Sequence, residues 1–231
     1  MEIHLRVKAG LASMNALSGY AAFSHRTKVT SILIYLWAVI FICDTVVNLA
    51  VSPITMKLLG GLVFGGYGPV AEFLSLDYYS LSHYEYWRLL TYGLGHTGIL
   101  HLYFNIWAVH FIGKRVEKQA GGRLTFSVLF ASYLINGCLF AGLYKPLISF
   151  SPSVGTFALF GMWLVYHVAN KHRTNLSAQE KSAIIILLAV NLFGVDALFV
   201  HAVGFAVGAA AGMLHSAFMK GPSQKNRATP Q

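Results

Sequence analysis

Residues 95–123 read GHTGILHLYFNIWAVHFIGKRVEKQAGGR. The stretch 95–113 contains no Lys, Arg, Asp or Glu, and its length suits a membrane-crossing helix, which needs about 20 mostly apolar residues. Four basic residues follow at once, Lys114, Arg115, Lys118 and Arg123. The polar side chains His96, His101 and Asn105 sit near the opposite end. Comparable apolar runs occupy about 30–51, 124–144, 153–170, 181–196 and 198–219. Of the 231 residues 56% are hydrophobic and 11% charged, against roughly 25% charged in a soluble domain. A soluble fold of this length has too little interior for that apolar surface, so lipid is the expected solvent. The predicted fold class is an all-α membrane protein, a six-helix transmembrane bundle.

The net charge of +9 does not point to nucleic acid, because the 17 Lys and Arg residues are scattered between the apolar runs. They are distributed by side. Arg6, Lys8, Arg26 and Lys28 precede the first run, the four basic residues above follow the second, and Lys171, Arg173 and Lys181 follow the fourth. Lys220, Lys225 and Arg227 follow the sixth. The other side holds Lys57, Arg88 and Lys145, three against fourteen. By the positive-inside rule both termini are expected in the cytoplasm. The organisation read from this is a cytoplasmic N-terminal segment 1–28, a membrane domain 29–219 and a cytoplasmic tail 220–231. No stretch in 1–28 reads as a cleaved signal, and a bacterial inner membrane is the expected host. The segment 52–94 is rich in glycine and aromatics, with Gly60, Gly61, Gly65, Gly66, Gly68, Tyr78, Tyr79, Tyr84, Tyr86 and Trp87. It reads as a long outer loop sunk partly into the lipid interface. Cys43 and Cys138 fall inside apolar runs and read as packing residues.

With that topology, polar residues far apart in sequence share one depth. His96, His101 and Asn105 lie in the outer half of the second span, Ser153 starts the fourth, and His201 lies in the first turn of the sixth. Ionisable groups inside a membrane are costly and face a cavity or a partner. His101 and Asn105, four apart, share a helix face. His96, five before His101, is expected about 140° away around the same helix. Histidines at this spacing without an intervening Glu do not fit the helical zinc pair, so neither metal nor other cofactor is expected. A serine, a histidine and nearby hydrogen-bond donors suit acyl transfer. In that chemistry His201 takes the Ser153 proton, while His101, Asn105 and a backbone N–H at the start of the fourth helix hold the oxyanion. Gly204, Gly208 and Gly212 form a small-residue stripe below His201, and Ala158 and Gly161 offer a matching face on the fourth helix. Phe157, one turn below Ser153, is placed to stack on the histidine. Asp44 and Asn48 share a face of the first helix and read as a buried hydrogen-bonding pair. His110, His167, His172 and His215 fall toward the cytoplasmic side, and Asn191 reads as satisfying a neighbouring helix.

These features resemble the rhomboid family. Trp87-Arg88 is similar to its WR pair in the first outer loop, and His96, His101 and Asn105 match HxxxxHxxxN. Gly113, Glu117 and Gly121 match GxxxExxxG, and His201, Gly204 and Gly208 match HxxGxxxG. Order and spacing agree across about 87–212. The resemblance implies a six-helix rhomboid-like bundle in which Glu117 braces the loop beside it. It implies a Ser-His dyad without an acidic third member, acting on single-pass transmembrane proteins in contact with membrane lipid. The family's nucleophile motif, GxSG, meets Ser151-Pro152-Ser153-Val154 here. Either Ser153 is the nucleophile and Val154 replaces the last glycine, or Gly155 is that glycine and Val154 stands at the serine position. The second alignment implies an inactive protein that binds transmembrane helices. The positions Phe157, Ala158, Leu159 and Gly161 favour the first. A transporter or channel is disfavoured, because the polar cluster lacks carboxylates and the chain shows no repeat symmetry.

Overall fold

The computed structural model describes residues 27–51, 66–169, 176–189 and 195–219. Nearly all of segment 1–28, Gly60, Gly61 and Gly65, Lys171, His172 and Arg173, Asn191 and the tail 220–231 lie outside the described residues. Helix α1 is Lys28–Val51, and three short helices follow it: α2 Pro69–Leu74, α3 Tyr78–Ser82 and α4 Arg88–Thr91. Helix α5, Ile99–Ala108, continues through a π turn, Val109–Gly113, into α6, Lys114–Ala120. Then come α7 Gly122–Tyr144, α8 Ser153–Ala169, α9 Ala178–Ala189 and α10 Val195–Met219. Counting α5, the π turn and α6 as one, six long helical runs among the described residues make an all-α bundle. Among the described residues the sole β feature is an isolated antiparallel bridge between Leu76 and Ser149. Among the described residues three helices can cross a membrane by length and composition: α1, α7 and residues Ala197–Met219 of α10. Helix α8 is apolar but shorter.

Helix α8 is the centre. It packs against α10, α7, α6, the π turn and α5, and its side chains from Val154 through Trp163 are buried without a break. A helix apolar on every face is a core helix. By contrast, α1 buries Leu33 and Trp37 and exposes Ile32, Tyr35, Val39, Ile42 and Val46. In lipid that outer face needs no partner, because acyl chains are as apolar as the side chains. Cys43 and Cys138 are exposed, not packed inside.

Helix–helix association in lipid rests on close packing, and α8 and α10 achieve it backbone to backbone. A methyl group on Gly204 would strike the Val154 carbonyl, one on Gly208 the Ala158 carbonyl, and one on Gly161 the Phe205 carbonyl. The stripe and its matching face meet as their spacing implies.

Residues 66–98, ahead of α5, form a folded lobe. Arg88 organises it: its guanidinium donates to the Glu72 carbonyl at 3.0 Å and the Ser75 carbonyl at 2.8 Å. It also pairs with Glu85 at 2.6 Å and Asp77 at 3.6 Å. Trp87 remains half exposed, its ring beside Phe73. Asp44 departs from the sequence reading. Its carboxylate accepts from the Gly68 N–H at 2.7 Å and the Ala71 N–H at 2.8 Å, tying the start of α2 to α1 in place of a bond to Asn48. Orphan amides at a helix start attract such an acceptor.

Glu117 also reaches farther than the loop beside it. Its carboxylate accepts from the Val29 and Thr30 amides, both at 2.8 Å, and from the Thr30 hydroxyl at 2.7 Å. It thereby anchors the first turn of α1. Gly113 lets the π turn approach Leu159 of α8, and Gly121 takes φ +82°, the left-handed turn from α6 into α7. Toward the opposite end of α8 from Ser153, the Tyr166 hydroxyl lies 2.8 Å from His215 Nδ1.

Candidate active site

Ser153 is the first residue of α8, where backbone amides have no intrahelical partner. The close approach of α10 brings His201 over it: His201 Nε2 lies 2.8 Å from Ser153 Oγ. Phe157 stacks on the imidazole, with ring centroids 4.0 Å apart and planes 11° from parallel. His201 is buried, so the ring is held on its face by Phe157 and at its edge by the serine. The side chain opposite His201 is that of Ser153. Val154 is fully buried in the core, and its amide donates to the Ser151 carbonyl at 3.2 Å.

Ser153 and His201 open into a cavity of about 630 Å³, also lined by His101, Asn105, Thr97 and Leu187. That volume is in the range of small-molecule and peptide pockets. The Asn105 amide donates to the His101 carbonyl at 2.9 Å and accepts from the Thr156 hydroxyl at 2.7 Å. The two bonds fix which end of the amide is nitrogen, and the second N–H is left over. His101 Nδ1 lies 3.2 Å from the Thr97 hydroxyl, so Nε2 is the ring nitrogen available to a ligand in the cavity.

His96 departs from its expected position. It is not on a helix: Gly98 adopts φ +140°, and α5 begins only at Ile99. That backbone conformation is open to glycine and rarely to other residues. The turn folds His96 back beside His101, with rings 5.1 Å apart, where a continuous helix would have pointed it away. Trp37 closes the other side at 5.2 Å, and its indole N–H donates to the Gly93 carbonyl at 2.9 Å. His96 is buried, does not line the cavity, and its ring nitrogens have no hydrogen-bond partner among the described residues. It forms the wall behind His101.

Sequence reasoning passed over Trp37, Thr97 and Thr156. Thr156 carried a usable signal, since it is one turn below Ser153 on the helix facing Asn105. The others have no motif. Among the described residues no group of His, Cys, Asp and Glu is arranged to hold a metal ion.

The family model of the Rhomboid domain matches residues 83–219, more than half of the chain. Rhomboid protease GluP of Bacillus subtilis is 33% identical over 109 residues, 47% of this chain and 21% of that protein. The inactive RHOMBOID-like protein 8 of Arabidopsis thaliana is 31% identical over 110 residues, 47% of this chain and 31% of that protein. Rhomboid protease GlpG of Photorhabdus laumondii is 35% identical over 63 residues, 26% of this chain and 22% of that protein. The matched region thus covers between about a fifth and a third of these relatives. They include both proteases and a protein named as inactive.

Proposed function

This chain belongs to the rhomboid family of integral membrane proteins, and on that premise we propose that it is an intramembrane serine endopeptidase using Ser153 and His201. The observation that carries the reading is the 2.8 Å approach of His201 Nε2 to Ser153 Oγ at the floor of a cavity. In the neutral imidazole Nε2 is the acceptor, so the Ser153 hydroxyl donates to it. As Oγ attacks a peptide carbonyl, its proton passes to Nε2 and then to the departing amine. Water, activated by the same nitrogen, releases the acyl group. The developing oxyanion is met by the free Asn105 N–H, by His101 Nε2–H and by a first-turn amide of α8, with the positive end of the helix behind them.

The proposed substrates are single-pass transmembrane proteins, with this chain's termini in the cytoplasm as the basic residues favour. A substrate helix has to unwind locally, since helical carbonyls are already bonded and shield the scissile bond. The test uses the full chain in detergent, a fluorophosphonate probe and a single-span substrate. Wild type is expected to be labelled and to cleave. Ser153→Ala and His201→Ala are expected to lose both activities, and Asn105→Ala to lose about a hundredfold in turnover. Cleavage that survives Ser153→Ala sinks the assignment.

One observation favours a second reading, an inactive scaffold that binds transmembrane helices. Ser151 and Val154 stand where the family motif has glycines, and the Val154 amide is already bonded to the Ser151 carbonyl. A wild type that folds but is neither labelled nor active decides for the scaffold.

A further inference from the structure

The turn that delivers Ser153 lacks the usual means of holding a helix start. Helices are capped by a side-chain oxygen from Ser, Thr, Asp or Asn at the residue before the first turn. Here that residue is Pro152, which has no such oxygen. The turn is held from outside.

Tyr133, buried on α7, donates its hydroxyl to the Pro152 carbonyl at 2.9 Å. The Tyr133 backbone carbonyl accepts from the Tyr92 hydroxyl at 3.0 Å, and that hydroxyl accepts from the Asn136 amide at 3.0 Å. The Tyr92 backbone carbonyl accepts from the Ser151 N–H at 3.1 Å. The two residues before the serine are therefore gripped separately, Ser151 through the Tyr92 backbone and Pro152 through the Tyr133 hydroxyl. The two tyrosine rings meet edge to face, 6.0 Å apart and 86° from parallel.

Space is shaped to the phenol. A methyl group on Gly155 would collide with the Tyr133 hydroxyl and come within 2.8 Å of Cζ, and one on Gly93 would overlap the ring. Gly155, one residue past the position of the family glycine, thus has a purpose of its own: it admits the phenol of Tyr133. None of Tyr92, Tyr133 and Asn136 lines the cavity.

We propose that Tyr133 is a positioning residue for the nucleophile: its hydroxyl, oriented by Tyr92 and Asn136, holds the Pro152 carbonyl so that Ser153 Oγ stays on His201 Nε2. In this chain the tyrosine pair holds a turn to which Pro152 brings no capping oxygen. The inference rests on the reading of Ser153 as nucleophile, but the geometry of the turn can be measured without it.

The test compares full-length wild type, Tyr133→Phe and Gly155→Ala in one detergent by three readouts. These are the fluorophosphonate labelling rate with kcat and KM, amide hydrogen exchange over residues 149–157, and thermal unfolding. Tyr133→Phe keeps the ring and removes the hydroxyl. Labelling and kcat are expected to fall about ten- to a hundredfold, the scale of a small misplacement of a reacting group. KM should stay within about twofold, since uniform binding is untouched. Exchange should accelerate in 149–157 and not elsewhere. Gly155→Ala keeps the hydroxyl but displaces it, and should reproduce the same local signature; it decides the matter if Tyr133→Phe does not fold. Wild-type labelling, kcat and local exchange in the variants overturn the proposal, as does faster exchange spread evenly over all helices. If the wild type itself is inert to the probe, the protease reading fails and the exchange readout alone decides whether Tyr133 holds the turn.

Discussion

Helix α8 meets α10 and α7 by opposite chemistries. Toward α10 the seam between the hydrogen-bonded pairs Ser153–His201 and Tyr166–His215 is one of shape: Gly204 and Gly208 give up their side chains so that carbonyls of Val154 and Ala158 can fill the space. Toward α7 the contact is polar: Tyr133 and Asn136 of α7, joined by Tyr92 from the end of α4, form hydrogen bonds that end on the residues just before Ser153. The first contact sets the distance between Ser153 and His201. The second sets the direction in which the serine enters it. In lipid, where burial of apolar surface does not drive helices together, packing without voids and hydrogen bonds without gaps are the two means available.

The contrast can be broken most severely on the glycine side. Gly208→Ala adds a methyl directly onto the Ala158 carbonyl. A backbone atom cannot step aside as a rotamer can, so a loss of about 3 kcal/mol is expected, the upper part of the overpacking range. Thermal unfolding in detergent reads it, and cleavage should fall with the folded fraction. On the polar side, Tyr92→Phe leaves the Tyr133 carbonyl and the Asn136 amide without their shared hydroxyl. About 2 kcal/mol should be lost, the cost of unpaired buried groups. A milder cut away from both contacts is Glu117→Gln, which weakens three bonds to the start of α1. It should cost about 1–2 kcal/mol, with exchange rising first at residues 28–32.

The smallest effect sharpens the comparison. Gly212→Ala is the same substitution on the same stripe as Gly208→Ala, but its methyl lies 3.1 Å from Val165 Cβ and 3.3 Å from Met162 Cα. Alanine gains about 1 kcal/mol over glycine in helix propensity. The net change should stay within about 1 kcal/mol. Equal losses at 208 and 212 would mean that the stripe acts through helix propensity or lipid contact and not through carbonyl approach.

The two contacts also differ in how far they can be read from the chain. Four-residue spacing of small side chains puts Gly204, Gly208 and Gly212 on one face, and periodicity carries that into three dimensions. His101 and Asn105 follow by the same rule. His96 does not, because the rule assumes a helix and Gly98 interrupts it. Asp44 was legible as a buried hydrogen-bonding residue, paired with Asn48, but its partners at Gly68 and Ala71 lie in a lobe whose short helices have no long apolar period. Tyr92, Asn136 and Tyr133 were not legible at all. Each is an ordinary residue of its own segment, and their mutual bonds span 41 and 44 positions.

By itself the sequence determined the all-helical membrane class, the six apolar runs and the small-residue seam, and it singled out Ser153 and His201 as candidates. These depend on hydropathy, charge bias and helical period, all local properties of a chain. Only the tertiary structure decided that His96 backs His101, that Glu117 reaches the first turn of α1 and that Tyr133 grips the turn before the serine. Hydrogen bonds between distant segments obey the geometry of packed helices, and no spacing along the chain encodes it.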